Sequence, residues 1–108
     1  MIKLNTDGSV GNSTAGMGGI FRDCGGEVLM AYAGPLYSCN VIKAELMGLK
    51  KGLDICLERG YINVNIEVDV MLLIQIVENN ILLHPQFFYL LKKIRMAMSG
   101  INCSFKTS

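Results

Sequence analysis

The spacing of apolar residues changes near residue 41 from the period of a strand to that of a helix, and this change limits the folds open to the chain. Before it, residues 2–7 alternate between apolar and polar side chains in a first strand that ends at Asp7. Residues 16–22 and 27–33 are two more strand-like runs, separated by a Gly-Gly pair that supplies the positive φ angles of a tight hairpin. An antiparallel meander of three strands is therefore predicted.

The segment after residue 41 predicts a long helix that buries one face. Its apolar residues recur at helical spacing, and Gly60 is placed to end the helix as a C-cap. Residues 62–69 then alternate again as a fourth strand, which ends on Asp69 as the first strand ends on Asp7. The apolar stripe of the helix consists of Ile42, Leu46, Leu49, Leu53 and Cys56.

The rest of the chain continues the alternation of helix and strand. Residues 70–79 predict a short helix, Pro85 stands at the start of another, and residues 101–108 alternate as a fifth strand. This order favours an α/β fold with a mixed sheet, in which strands four and five run parallel to strand one through right-handed helical crossovers. The apolar residues at helical spacing after Pro85 are Phe88, Leu91, Ile94 and Met98.

Composition and length bound the class of protein. The 108 residues fit one domain, 1–108, with no repeat or linker to divide them. The mean hydropathy of +0.38 is high for a domain of this size, and the net charge of +1 does not by itself suggest a nucleic-acid partner. No apolar run approaches the roughly 20 residues that cross a bilayer, and the N-terminus has no signal-peptide pattern. We therefore expect an intracellular, soluble protein without a membrane partner.

The cysteines and the histidine suggest no metal site. Cys24, Cys39, Cys56 and Cys103 are scattered without a CxxC pair, which predicts free, mostly buried thiols. The lone His84 beside a proline is typical of a loop or helix start rather than of a ligand.

Three carboxylates form a more informative set. Glu45 falls at the edge of the apolar stripe of the first helix, so its carboxylate is expected to face the sheet. Asp7 and Asp69 would lie at the carboxyl ends of parallel strands, where ligands of such sheets gather. A cation would relieve the repulsion between three converging carboxylates, and an oxygen-only site suits Mg²⁺. Two such ions activate water and stabilise the leaving oxygen in phosphodiester hydrolysis.

Each acid also has an ordinary structural explanation. Asp7 fits a turn residue that caps the amides after it, Glu45 a solvated helix residue, and Asp69 the N-cap of the next helix. Residue types and spacing alone leave both explanations open.

The motifs "NTDGSVGN", "AGMGGIFRD", "KAELMGLKKGLD" and "NVNIEVDV" resemble, in order and spacing, the ribonuclease H type 1 domain. The resemblance covers nearly the whole chain and is strongest to the plant retrotransposon-derived, reverse-transcriptase-like branch. It implies a ribonuclease H-like fold, two Mg²⁺ or Mn²⁺ ions, and hydrolysis of the RNA strand of an RNA/DNA hybrid.

The resemblance also implies roles for individual residues. Asp7 is similar to the metal-bridging aspartate, Asp69 to a third metal ligand, and Glu45 to a glutamate that binds metal and contacts a ribose 2′-hydroxyl, the group that distinguishes RNA from DNA. Gly8 and Ser9 resemble the family's backbone contact to the RNA strand. Asn12 matches the asparagine of its glycine-asparagine turn.

The sequence departs from the family pattern at its end. The family carries a fourth catalytic aspartate on a final helix beyond the fifth strand, and Ser108 ends the chain before such a helix. Thr107 stands about where the family often has a histidine. A missing helix would leave one face of the sheet bare, which would account for the apolar composition.

Three functions stay open on the sequence. The first is a metal-dependent hybrid ribonuclease, whose activity in this chain is uncertain without the fourth aspartate. The second is a catalytically inactive module that binds nucleic acid, with phosphate contacts from lysines and arginines that otherwise form a solvated face. The third is a structural role through a sheet edge or a bare face, with the oligomeric state undetermined. The candidate phosphate contacts are Lys50, Lys51, Lys92, Lys93, Arg95 and Lys106.

Overall fold

Five strands form one mixed sheet in the computed structural model, which describes residues 1–37, 40–68 and 85–107. Along the sheet the order is β3-β2-β1-β4-β5. The pairs β1–β2 and β2–β3 are antiparallel, whereas β1–β4 and β4–β5 are parallel. The predicted α/β architecture, a meander followed by two parallel strands, is confirmed. The strands are β1 (Ile2–Val10), β2 (Ala15–Arg22), β3 (Val28–Leu36), β4 (Asn63–Val68) and β5 (Asn102–Thr107).

Two described helices, α1 (Val41–Arg59) and α2 (Pro85–Ser99), accompany the sheet. The Asn40 side chain caps α1 by accepting a hydrogen bond of 2.8 Å from the Lys43 backbone N–H. Gly60 ends α1 with a left-handed φ of 71°, which confirms the predicted C-cap. Neither α1 nor α2 is long and apolar enough to cross a membrane. The short helix predicted over residues 70–79 lies outside the described residues, as does His84.

The core lies between the two helices and one face of the sheet. Four of the five stripe residues predicted for α1 are buried, and Ile42 packs against their cluster. In α2 the buried phenylalanine is Phe87, only 4% exposed, whereas the predicted Phe88 is 53% exposed. Both residues stand at helical spacing from Leu91, so periodicity alone does not distinguish them. Other buried core residues are Leu4, Phe21, Val64, Ile66, Val68 and Ile94.

The first strand does not end at Asp7. It continues to Val10 because β2 stays paired with it as far as Val10 opposite Ala15. Within the described residues, its pairing with β4 runs from Ile2 opposite Val64 to Asn5 opposite Glu67. Glycine and serine are poor strand formers, so the sequence suggested a turn where pairing with β2 imposes a strand.

The β2–β3 hairpin uses one positive φ angle rather than two. Gly26 has a φ of 89°, whereas Gly25 has no positive φ. The Asp23 carboxylate holds the turn instead, because its Oδ1 accepts hydrogen bonds from the backbone N–H groups of Gly25 at 2.9 Å and Glu27 at 3.0 Å. An aspartate that bonds the amides after it is a common way to stabilise such a turn.

The face of the sheet turned away from α1, here called the open face, has two different halves. On β2 and β3 it carries small apolar residues such as Ala31 and Ala33. On β1, β4 and β5 it carries a ladder of polar side chains joined across the strands. Asn5 donates to Glu67 at 2.9 Å, Asn102 to Asn63 at 3.1 Å and Ser104 to Asn65 at 3.3 Å. Among the described residues, the apolar part of the open face is therefore the β2–β3 half.

Tyr32 joins β3 to α1 through the core side of the sheet. Its ring lies over Gly19 of β2, and its hydroxyl donates a hydrogen bond of 2.7 Å to the Gly48 carbonyl of α1. A Cβ atom on Gly52 would lie 2.6 Å from that hydroxyl, so glycine is required one turn further along the helix. Burial raises the pKa of Tyr32 well above its ordinary value, with the nearby Cys56 thiol adding to the shift.

We predict that Tyr32→Phe lowers the free energy of unfolding by about 1 kcal/mol, because the buried Gly48 carbonyl loses its hydrogen-bond donor. Tyr37→Phe is the matched control, since Tyr37 is 97% exposed. Urea unfolding of both variants measures the difference, and equal stabilities would contradict a structural role for the Tyr32 hydroxyl.

The described cysteines are free thiols in three environments. Cys24 is exposed, Cys103 is half-buried and Cys56 is buried, so the prediction of mostly buried thiols is wrong for Cys24. That residue lies in the β2–β3 hairpin, where a side chain projects into solvent. Burial, and to a smaller degree the neighbouring Cys103 thiol, raises the pKa of Cys56 to about 11.

We predict that, of the three described cysteines, alkylation of the folded protein near pH 8 modifies Cys24 first and Cys56 last, because the thiolate is the reactive form and Cys56 is both covered and protonated. Peptide mass mapping over time measures the order. Early modification of Cys56 without unfolding would contradict its burial.

Candidate active site

Asp7 lies in β1, where it is paired with Gly18 of β2. It stands two residues beyond the last described pair of β1 with β4, Asn5 opposite Glu67. Its side chain is exposed, whereas the preceding Thr6 is buried on the side of α1. The alternation of β1 therefore places the Asp7 carboxylate on the open face.

Gly8 brings β1 into backbone contact with α1. A Cβ atom on Gly8 would lie 2.6 Å from both the Ala44 carbonyl carbon and the Glu45 backbone nitrogen. One turn later, a Cβ atom on Gly48 would lie 3.1 Å from the Asp7 carbonyl oxygen. Only glycine permits such an approach of two backbones. The contact fixes the backbone of Glu45 beside the residue that follows Asp7.

Glu45 is buried on α1, with 3% of its surface exposed, as the position at the edge of the apolar stripe predicts. A carboxylate is seldom buried unless it is hydrogen-bonded, paired or coordinated to a metal, because desolvation of the charge is costly. The alternative of a solvated helix residue is therefore excluded for Glu45.

A groove of about 810 Å³ runs along the open face beside Asp7. Asp7 and Ser9 border it from β1, and Gly16 and Gly18 of β2 form part of its floor. Glu67 of β4 also lines it, bonded to Asn5. Sequence reasoning did not select Glu67, because only the parallel register of β1 and β4 reveals that it lies near the groove.

The remaining candidates lie in or next to β1. Ser9 is exposed, and Gly16 of β2 lies opposite it. A Cβ atom on Gly16 would lie 3.8 Å from the Ser9 Oγ, so the glycine leaves the hydroxyl accessible from the groove. Asn12 is exposed in the turn between β1 and β2, which a hydrogen bond of 2.7 Å from the Gly11 N–H to the Thr14 carbonyl closes. The side of Gly8 where a side chain would project is filled by α1, so a contact from Gly8 to a ligand requires its backbone.

Asp69 directly follows the last residue of β4, Val68, and lies outside the described residues. Within residues 1–37, 40–68 and 85–107, no group of three or more His, Cys, Asp or Glu side chains is placed to hold a metal ion. The structure thus places two predicted carboxylates, Asp7 and Glu45, on elements that touch at Gly8, and the role of Asp69 stays a prediction.

A match to a known family covers almost the whole chain. The sequence profile described as "Reverse transcriptase-like" matches residues 5–107, a range that contains every candidate residue discussed above. The chain belongs to the reverse transcriptase-like family. No curated protein matches it.

The solved structures similar to this reverse transcriptase-like protein show which fold it has. RNase H1 from the halophilic archaeon Halobacterium salinarum superposes with a TM-score of 0.91 at 14% identity, over 99% of this chain and 84% of its own. The N-terminal RNase H domain of a Mycobacterium tuberculosis protein gives 0.88 at 19%, over 99% and 81%. LC11-RNase H1 from compost, in complex with an RNA/DNA hybrid, gives 0.88 at 19%, over 100% and 85%. The fold is that of ribonuclease H.

We predict that Gly8→Ala destabilises this reverse transcriptase-like protein by about 1–3 kcal/mol, because the added methyl group meets backbone atoms of α1 that cannot rotate away. Gly34→Ala is the control, since its Cβ would meet only the flexible end of Met17 at 3.4 Å. Urea unfolding measures both variants. A Gly8→Ala protein as stable as Gly34→Ala would contradict the close contact.

Proposed function

We propose that the chain binds RNA/DNA hybrids and hydrolyses their RNA strand with Mg²⁺ or Mn²⁺, using Asp7, Glu45 and Asp69 as metal-binding and catalytic residues. The origin we propose is a plant retrotransposon-derived ribonuclease H domain, on the motif resemblance described above. Among the solved structures of this fold, LC11-RNase H1 is itself in complex with an RNA/DNA hybrid, which supports the choice of substrate.

The backbone contact at Gly8 is the observation that carries the proposal. It sets a buried carboxylate-bearing residue, Glu45, against the strand that presents the exposed carboxylate of Asp7. A buried carboxylate-bearing residue on a helix, whose backbone meets the strand of Asp7 at a glycine that nothing larger can replace, favours a binding site over a solvated surface. A turn-capping role for Asp7 is disfavoured, because Asp7 lies within a paired strand.

The donor set fits a hard divalent cation. Asp7 and Glu45 offer only carboxylate oxygens, the ligands that Mg²⁺ prefers over nitrogen and sulfur, and Asp69 would add a third. When bound, such ions supply an activated water and stabilise the leaving oxygen of a phosphodiester. In the proposal Asp7, Glu45 and Asp69 hold two of them.

The other residues of the site bind and orient the RNA strand. The Ser9 hydroxyl and the Gly8 backbone lie next to Asp7, and the glycine floor of the groove lets a sugar-phosphate backbone approach closely. Asn12, exposed in the following turn, is placed to add a side-chain contact. Glu45 selects RNA over DNA by accepting a hydrogen bond from a ribose 2′-hydroxyl.

Cleavage of a labelled RNA/DNA hybrid, first with Mg²⁺ and then with Mn²⁺, tests the proposal. We predict that Asp7→Asn and Glu45→Gln each lower the cleavage rate by about 100-fold or more. The metal-binding carboxylates act as one unit, so loss of any one of them removes most of the catalysis. The controls are Asp54→Asn and Glu58→Gln, which remove charges of the same kind from α1 away from its contact with β1.

The assay also separates the second function, a module that binds hybrid without cleaving it. Fluorescence anisotropy with the same hybrid in EDTA measures binding alone. Binding without metal-dependent cleavage by the unmodified chain would overturn the catalytic proposal and leave the binding module. Cleavage that persists in Asp7→Asn would show that the carboxylates named here do not carry it.

A further inference from the structure

The outward surface of α2 carries a second concentration of charge and aromatic side chains, unrelated to the carboxylates. The helix contains Lys92, Lys93 and Arg95 and not one acidic residue. On α1, by contrast, Lys50 is paired with Asp54 one turn away. The positive charge is therefore unevenly distributed: the whole chain has a net charge of +1, whereas α2 alone carries three positive charges.

A pocket of about 360 Å³ lies on this surface. It is here called the α2 pocket, and among the described residues it is lined by Phe88, Lys92, Arg95, Met96 and Ser99. The two cations stand three residues apart, so their side chains lie on neighbouring turns of one helix face. Such a pair of cations beside an open cavity fits an anion with several oxygen atoms.

Arg95 has unused hydrogen-bond donors. Its Nε and Nη2 atoms are covered by protein and have no hydrogen-bond partner, and the residue lines the α2 pocket. Buried guanidinium N–H groups without an acceptor are costly, because they have lost water and gained nothing. Arginine characteristically pairs two such donors with the oxygen pair of a phosphate.

Exposed rings adjoin the cations. Phe88 lines the pocket, and the neighbouring Tyr89 is 71% exposed with the Lys93 ammonium 5.6 Å from its ring centroid. Exposed apolar side chains that adjoin polar groups in a patch mark a binding surface more often than single exposed side chains do. Nucleobases stack on such rings when they are not already stacked in a duplex, and their phosphates bind the adjacent cations.

We propose that the α2 pocket and its adjoining rings form a binding site for single-stranded nucleic acid. Arg95 and Lys92 bind a backbone phosphate in the pocket, and Phe88 and Tyr89 stack against the unpaired bases on either side of it. The site lies on a different element from Asp7 and Glu45, so it does not depend on cleavage or on metal.

Fluorescence anisotropy in EDTA tests the site with labelled single-stranded DNA and RNA of about 12 nucleotides, the range that single-strand sites cover. Three further probes of equal length are an abasic strand, an RNA/DNA hybrid and a phosphoserine peptide of equal charge. The double variant Lys92→Gln/Arg95→Gln is compared with Lys43→Gln/Arg59→Gln, which removes two exposed charges from α1.

We expect the α2 double variant to bind single strands about tenfold or more weakly than the unmodified chain. The slope of log affinity against log salt concentration should fall by an amount that corresponds to about one to two phosphate contacts. The α1 double variant should change the affinity less than about threefold, the size of a general charge effect. Phe88→Ala should weaken binding of the intact strand by about fivefold or more and leave the abasic strand unchanged.

Equal losses in the two double variants would overturn the proposal, because binding would then depend on net charge alone. An abasic strand or phosphopeptide that binds as tightly as the intact strand would overturn the nucleic-acid assignment, and a hybrid that binds as tightly would overturn the preference for unpaired bases. Circular dichroism checks the fold of each variant. If Arg95→Gln unfolds the protein, the single variants Lys92→Gln and Phe88→Ala decide the question, since both side chains are exposed.

Discussion

The close contact of β1 with α1 is the constraint on which the rest of the structure depends. Gly8 meets the helix backbone at Ala44 and Glu45, and Gly48 of the helix meets the backbone of Asp7. These contacts hold the helix so close to the sheet that the Tyr32 hydroxyl reaches the carbonyl of Gly48. The same closeness fixes where Glu45 is buried, so fold and candidate site rest on one set of glycines.

Most of the fold could be predicted from the sequence, because the periods of strands and helices are local properties. The helix α1 illustrates this well: its apolar stripe, its Gly60 cap and the burial of Glu45 all follow from spacing along one element. The end of β1 could not be placed in this way, since β2 extends the strand through Ser9, against local preference. Likewise, the sequence could not show which of Phe87 and Phe88 is buried, because that depends on how α2 packs in the core.

The candidate site was predictable in part, for a different physical reason. Glu45 could be selected because an acid on the buried face of a helix is costly and therefore informative. Asp7 was selected because ligands gather at the carboxyl ends of parallel strands. Glu67 was missed because its place beside the groove depends on the register between β1 and β4, which no local pattern contains. The function of Gly8 in packing was missed likewise, since a close approach involves two segments far apart in the sequence.

The polar ladder of the open face has a consequence for how β5 can pair. Parallel strands are normally covered on both faces, whereas here one face of the β4–β5 pair carries Asn63, Asn102 and Ser104 toward water. A slip of β5 by one residue would turn Asn102 and Ser104 into the core and bring Phe105 out. The two cross-strand hydrogen bonds thus help to fix the register of β5, which is an edge strand of the described sheet. Edge strands otherwise pair out of register or pair with strands of other molecules more readily than central strands do.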